Sequence, residues 1–554
     1  GAPGYGLAAP EAFRLRPAAG EEVVLGLDLG TWSCRAAVLV QGVAHPVTLA
    51  SEGHATALPA VVGCDPSGGL VVGSAALALR ARSPELTVRG LKRLVGRRAR
   101  APQDRDLRPR FPEELVADPS GDLAVRLGEG TWPVPLLLGA LLRALKEGAE
   151  ALVDGPLARA VIAVPAWFTA HHRSAVLEAA RTAGLEVTAL VNEPSAVALA
   201  FGSGRGLARK RLLVYDLGAG AFQVAVVEIT GEDLEVVAVG GDDGLGGMDF
   251  DARLADAIVR DASPPDGTLV VPRATLARVR DAVEAAKRTL DGEATAHVLV
   301  PGTHLPSEGL AAGLDLDVDR AVLEVLTREL IERTLVVTTE VLETARLTPR
   351  SLDEVMLVGG QGRTSAVRAG LQRVLGTEPS AFDPAHAVAV GAALFGHALE
   401  LKQQGKRAPS LSEVLAAPIS VATEGGALTR VLERNTRLPA EKSVSVPVRG
   451  GQSVAVPVYQ GLSARAEDCD YQGCVRVSAA RDGEVVVRFA VGADGRLSVS
   501  TVGASAPGAA LSFDPRLPSE EELALTLARS PLPADGGPAR ARGLLGGLKR
   551  LFGR

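Results

Sequence analysis

The stretch Leu212-Leu-Val-Tyr-Asp-Leu-Gly-Ala-Gly-Ala-Phe-Gln-Val-Ala-Val-Val-Glu-Ile229 decides how this chain is read. Arg211 to Tyr215 and Phe222 to Ile229 are short apolar runs, and Asp216-Leu-Gly218-Ala-Gly220 lies between them. That pattern predicts strand, tight glycine turn, strand. A turn of this composition brings backbone N–H groups close to an anion, and its carboxylate reaches a magnesium ion. Taken alone, it is equally an ordinary turn. The chain repeats it, however. Val24-Leu-Gly-Leu-Asp28-Leu-Gly30-Thr-Trp-Ser-Cys-Arg-Ala-Ala-Val-Leu39 matches at Asp28/Asp216, Leu29/Leu217, Gly30/Gly218 and Val38/Val226. An internal repeat at so long an offset is too wide for a solenoid. It predicts two copies of one α/β unit, whose facing hairpins clamp a polyphosphate between two lobes.

The 554 residues suffice for several domains. Hydrophobic residues make up 47% and charged ones 22%, a globular balance, and with 3% aromatics the core is built from Ala, Val and Leu. A net charge of −6 gives no global sign of a nucleic-acid partner. Cys34, Cys64, Cys469 and Cys474 are too few and scattered for a disulfide framework, although the last two are close enough in sequence to pair. Free thiols in a reduced, cytoplasmic setting are the expectation. No apolar run is long enough to span a bilayer, and no signal peptide is visible.

Several further stretches carry chemistry. Leu91 to Arg100 is a basic cluster: a solvated face, a nucleic-acid contact, or a lysine aimed at phosphate. Arg159 to Val164 reads as a buried strand stopped by Pro165, with a helix from Ala170 to about Ala183. Ala189-Leu-Val-Asn192-Glu193-Pro194 leads a strand into a polar turn, and strand, helix, strand implies a parallel crossover. Gly244-Leu-Gly246-Gly247-Met248-Asp249 opens a helix. Glu284, Lys287 and Arg288 lie on adjacent turns of another. Val355-Met-Leu-Val358-Gly359-Gly360-Gln-Gly-Arg363 is a third strand and glycine turn. Taken as a set, Asp28 and Asp216 would hold hydrated magnesium through its waters. Gly30, Thr31, Gly218, Ala219 and Gly220 would cradle phosphates, with Trp32 beside them. Lys92 would neutralise charge or orient a water, and Glu193 would accept a proton or hold that water. Gly246, Gly247, Gly359 and Gly360 would let a nucleoside lie against backbone, with Glu284, Lys287, Arg288 and Arg363 toward ribose and base.

Past 404–414, whose composition is that of a linker, short alternating runs separated by Asp-Gly turns predict an antiparallel sandwich over 415–513. Residues 519–529 read as a short helix. The basic tail 539–554 has leucines at helical spacing and is either mobile or touches an anionic membrane surface or a partner. Residues 1–21 read as a flexible leader.

The order of these motifs resembles the seventy-kilodalton heat-shock, DnaK-like chaperones within the actin and sugar-kinase superfamily. The matching segments are Gly26-Leu-Asp-Leu-Gly-Thr31, Leu91-Lys-Arg-Leu-Val-Gly-Arg-Arg98, Val161-Ile-Ala-Val-Pro-Ala-Trp-Phe168, Asn192-Glu-Pro-Ser-Ala196, Tyr215-Asp-Leu-Gly218, Leu245-Gly-Gly-Met-Asp-Phe-Asp251, Glu284-Ala-Ala-Lys-Arg288, Leu357-Val-Gly-Gly360 and Val458-Tyr-Gln-Gly461. The resemblance implies a duplicated actin-like (ribonuclease H-like) ATPase domain over 22–403, then a β-sandwich that grips extended apolar peptides. It implies ATP or ADP with Mg2+ as cofactors, unfolded clients and co-chaperones as partners, and a relay through Pro165 and Arg173. Departures from the family pattern sit at the chemistry. Trp32 stands where a second Thr is usual, Ala219, Ala221 and Gln223 replace Gly, Thr and Asp, and Met248 replaces a Glu. Glu424 stands at an apolar arch position of the peptide groove, and the helical lid is missing. These predict slow or absent hydrolysis. The readings that remain beside a chaperone ATPase are a pseudo-ATPase scaffold, a sugar kinase and a filament-forming actin relative.

Overall fold

A computed structural model describes residues 14–104, 107–263, 271–301, 313–380, 382, 384–503 and 505–533. The tail 539–554 and residues 1–13 of the leader lie outside them. Both predicted hairpins form, and each nucleates a mixed sheet. In the first, Val24–Asp28 pairs antiparallel with Ser33–Val40 and parallel with Arg159–Val164, which is followed outward by Glu186–Asn192. In the second, Leu207–Leu217 pairs antiparallel with Phe222–Gly231 and parallel with Glu354–Val358. The registers coincide. Asp28 faces Arg35 across its hairpin, and Asp216 faces Gln223 at the same offset. The strand interiors are almost wholly apolar, as expected where helices cover both faces of a sheet.

The helix Glu193–Gly202 follows strand Glu186–Asn192, so Glu193 sits in its first turn, beside the strand ends. The helix Ala387–Gln403 crosses it and lies along Val24–Asp28. Small residues make this crossing close. A Cβ on Gly391 would stand 1.8 Å from the Ala196 carbonyl oxygen, and one on Gly26 would stand 2.3 Å from the Ala389 carbonyl oxygen. Both partners are backbone and cannot rotate away. We expect Gly391→Ala to cost roughly 3 kcal/mol or more, the upper range for overpacking, read as a lowered urea midpoint.

The C-terminal strands form a five-stranded sheet and a three-stranded sheet, all antiparallel, around a core of Val, Ile and Leu from both. The segment expected to be a linker is structured in part. Leu411–Ser412 adds a parallel edge strand beside Asp233–Asp242, pairing Leu234 with Leu411. Glu413 is buried, and its carboxylate accepts from Ser195 Oγ at 2.5 Å. A Ser- and Pro-rich composition signals a linker only when no strand edge is available to pair with it, and here Asp233–Asp242 supplies one.

The sandwich therefore packs directly on the α/β part. Thr169 Oγ1 donates to Asp470 at 2.7 Å, His171 N to Gln472 at 3.1 Å, and Arg98 Nη2 to the Pro515 carbonyl at 2.7 Å. No helix among the described residues is long and apolar enough to cross a membrane.

Candidate nucleotide site

The two sheets aim their hairpin turns at one cleft of about 940 Å³, counting its open mouth, within the usual size range of small-molecule sites. Its walls bring together Asp28, Gly30, Thr31, Trp32, Lys92, Glu193, Asp216, Gly218, Ala219, Gly220, Gly359, Gly360 and Arg363. Those residues span more than half the chain in sequence. Most converge because they stand at the ends of strands in the two main sheets or in the turns that follow, where parallel pairing aligns the ends, while Lys92 comes from the short turn Leu91–Arg93 after a separate antiparallel sheet.

Gly246, Gly247, Glu284, Lys287 and Arg288 stand beside the cleft and do not line it. The Lys287 ammonium is committed to Asp251 at 2.8 Å and the Gly247 carbonyl at 3.0 Å. Arg288 pairs with Glu284 one turn away at 2.5 Å. Trp32 forms part of the wall and is clasped by cations, with the Arg89 guanidinium 3.1 Å and that of Arg288 5.4 Å from its ring centre.

The glycines divide by purpose. A Cβ at Gly220 would meet Thr31 Oγ1 at 2.2 Å, and one at Gly359, where φ is +83°, would meet the Leu217 carbonyl at 2.4 Å. These positions are glycine so that the turns themselves pack. At Gly218 and Gly360 nothing lies within 4 Å of a Cβ, and both border the cleft. Side chains there would fill space that a phosphate group or nucleoside needs.

The carboxylates are held by a compact network. Lys92 forms an ion pair with Glu193. Gln223 Nε2 donates to Glu193 Oε2 at 2.5 Å and to Asp216 Oδ2 at 2.9 Å, while its Oε1 accepts from Ala166 N at 3.0 Å. Burial pushes Asp28 up to about 6, with Lys92 opposing it. Burial, then the neighbouring Glu193, pushes Asp216 up to about 7. Burial works against the Lys92 charge, but Glu193 and Asp28 outweigh it and hold the ammonium above the usual lysine range. Among the described residues no three His, Cys, Asp or Glu side chains converge to ligate an ion directly. The donor set therefore fits a hydrated cation gripped through its waters.

Sequence reasoning noted Gln223 only as a missing carboxylate, and it passed over Arg35 and Arg93. Arg93 Nε donates to the Gly220 carbonyl at 2.7 Å and its guanidinium pairs with Asp249, fixing the second glycine turn. Arg35 lines the cleft opposite Asp28, with no hydrogen bond or ion pair to it among the described residues. The available signal was the repeat itself: the position equivalent to Gln223 in the first hairpin is Arg35.

A protein-family model described as Hsp70 protein matches residues 24–508. The chain is 33% identical over 490 residues to the chaperone protein DnaK of Thermotoga neapolitana, an alignment covering 87% of this chain and 78% of that relative. It is 35% identical over 515 residues to the mitochondrial heat shock 70 kDa protein of Solanum tuberosum, covering 90% and 73% respectively. Taken with the paired hairpins and the cleft between them, these matches establish that the chain belongs to the Hsp70 protein family.

Proposed function

We propose that this chain is a DnaK-like chaperone whose two actin-like lobes clamp ATP or ADP with Mg2+ and whose sandwich holds extended apolar client segments. The observation that carries the reading is the convergence of Asp28, Asp216, Lys92 and Glu193 on a cleft whose floor is kept open at Gly218 and Gly360. Asp28 and Asp216 would hold the magnesium through its waters, and the ion, when bound, neutralises phosphate charge. Lys92 would add a cation at the phosphates, and Arg35 from the first sheet and Arg363 after strand Glu354–Val358 of the second also line the cleft. Glu193 is placed to orient a water and take its proton.

Hydrolysis is slow in this reading because Gln223 occupies both Glu193 and Asp216. An amide donating to a carboxylate lowers its basicity, and it cannot replace the proton-accepting capacity of a third carboxylate. Trp32 narrows the cleft on the phosphate side. Clients and co-chaperones are the implied partners, with no nucleic acid. Cytoplasmic residence belongs to the same reading, supported by four cysteines that are all free.

Single-turnover ATP hydrolysis tests this. We expect slow turnover in the parent, a loss of roughly 100-fold or more in Lys92→Ala, and a gain in Gln223→Asp. Turnover no faster than in Lys92→Ala, with ATP still bound tightly, would leave a nucleotide-binding scaffold and remove the ATPase claim.

A further inference from the structure

The strand Ile419–Ala422 leads into the loop that carries Glu424, and its pairing with Ser453–Gln460 ends at Val421 opposite Val458. Next in register opposite Ala422 the neighbouring strand presents Pro457, which has no N–H to offer, and the Glu424 N–H lies past the last paired residue. Buried backbone groups of this kind require partners. The chain's own C-terminal segment provides them. Ser519 caps the helix Glu520–Ala528, which packs Leu523 and Leu527 against Ala422, Tyr459 and Tyr471 on the outer face of the sheet. The chain then turns at the end of the sheet. Ser530 Oγ donates to the Ala422 carbonyl at 2.7 Å, and Glu424 N donates to the Leu532 carbonyl at 3.0 Å. The Leu532 side chain is 3% exposed and inserts into the core between the two sheets.

A segment bonded through its backbone to a loop edge, with one leucine buried in the sandwich interior, is seated as a peptide ligand would be. We propose that Ser530-Pro531-Leu532-Pro533 is a resident intramolecular occupant of the sandwich's client site, seated against Ala422–Glu424 and the apolar space behind them. This rests on the reading of the sandwich as a client-binding unit. A client must displace the resident segment, so its apparent affinity falls by the fraction of molecules in which the site is open. The two prolines suit such an occupant. They restrict the backbone in advance and remove N–H groups that would need partners at the edge.

The test uses the full chain and a fluorescein-labelled peptide, Ala-Arg-Ser-Pro-Leu-Pro-Ala, matching residues 528–534, with anisotropy as the readout. We expect weak binding to the parent and binding at least about tenfold tighter to Leu532→Ser. Ser530→Ala, which removes one hydrogen bond and leaves the leucine seated, should give a smaller gain, and a probe with Asp in place of Leu should not bind. Equal probe affinity in the parent and both variants overturns self-occupancy while leaving peptide binding intact. Failure of the parent and both variants to bind this probe or an unrelated leucine-rich heptapeptide, with each still melting cooperatively, overturns both self-occupancy and the client-binding reading.

Discussion

Asp216→Asn is expected to weaken magnesium-dependent ATP binding by at least about 100-fold while making the nucleotide-free protein more stable at pH 8. The two effects have one origin. Asp216 is half-buried on the cleft wall beside Glu193 and Asp28, and its carboxyl is pushed up to about 7, by desolvation first and then by Glu193. The neutral amide keeps the volume of the side chain and an oxygen that accepts from Gln223. It gives up the charge that would grip a hydrated cation, where each charge-assisted hydrogen bond contributes roughly 1.5–3 kcal/mol. Two such bonds account for a factor of 100 or more.

The stability effect follows from linkage. In the folded protein burial pushes Asp28 up to about 6 and Asp216 up to about 7, above the ordinary aspartate value of 3.8. The folded state therefore binds protons that the unfolded chain has released. The stability this provides is fully present below about pH 4 and is lost as pH rises through 6 and 7. The melting temperature of the nucleotide-free protein should accordingly fall between pH 5 and 8, and the fall should be shallower in Asp216→Asn. Magnesium–ATP binding to the parent near pH 6.5 should release protons, seen as a calorimetric enthalpy that varies with the buffer. An unchanged affinity in Asp216→Asn, or a melting temperature that climbs over this pH range, would contradict the assigned site.

Arg173→Ala is expected to separate the sandwich from the nucleotide cleft. The Arg173 side chain is 3% exposed and bridges the two parts of the molecule. It donates to the Phe168 carbonyl at 2.9 Å, to Asn192 Oδ1 at 2.8 Å and, across the interface, to the Asp494 carbonyl at 2.9 Å. A weaker contact at 3.4 Å reaches the Ala166 carbonyl. The N–H of the same Ala166 is held by Gln223, which is bonded to Glu193 and Asp216. A continuous set of hydrogen bonds thus runs from the cleft carboxylates to the sandwich.

Burial lowers the Arg173 guanidinium to about 10, with Glu413 and Asp494 opposing the shift, so it remains charged at neutral pH. Truncation leaves buried carbonyls and Asn192 unpaired, at roughly 1–3 kcal/mol for each unsatisfied group. That cost falls on the docked arrangement, because exposure to water satisfies the same groups once the sandwich moves away. Nucleotide affinity should stay within about threefold of the parent. Protease cleavage within 404–412 should rise at least about tenfold as Leu411–Ser412 leaves its strand edge, and any effect of ATP on the release of a bound peptide should be lost. Arg173→Lys should not restore coupling, because an ammonium cannot span the same forked set of acceptors. Cleavage and peptide release unchanged from the parent would show that the bridge carries no coupling.

Much of the site was legible in the sequence because its frame is local. An apolar run, an Asp and two glycines encode strand and turn within ten residues, and the repeat at Val24 to Leu39 revealed the second jaw. Lys92 and Glu193 were read from single stretches, and both line the cleft. The helix carrying Glu284, Lys287 and Arg288 was also legible, but the partners its side chains take beside the cleft were not. Lys287 is drawn to Asp251, a partner chosen by helix packing and not by spacing in sequence.

What the sequence determined by itself is the set of elements and the position of each Asp at a strand end, since periodicity and glycine placement act over a few residues. What only the tertiary structure decided is which polar groups share a partner. Gln223, already opposite Asp216 in its own hairpin, also reaches Glu193 because the two sheets aim their strand ends at one cleft. Residues 411–412 become a strand because Asp233–Asp242 leaves an edge open. Leu532 enters the sandwich core where the pairing of Ile419–Ala422 with Ser453–Gln460 stops. Each of these contacts joins segments far apart in the chain, and each is fixed by register and by the need of buried polar groups for partners, which no local pattern records.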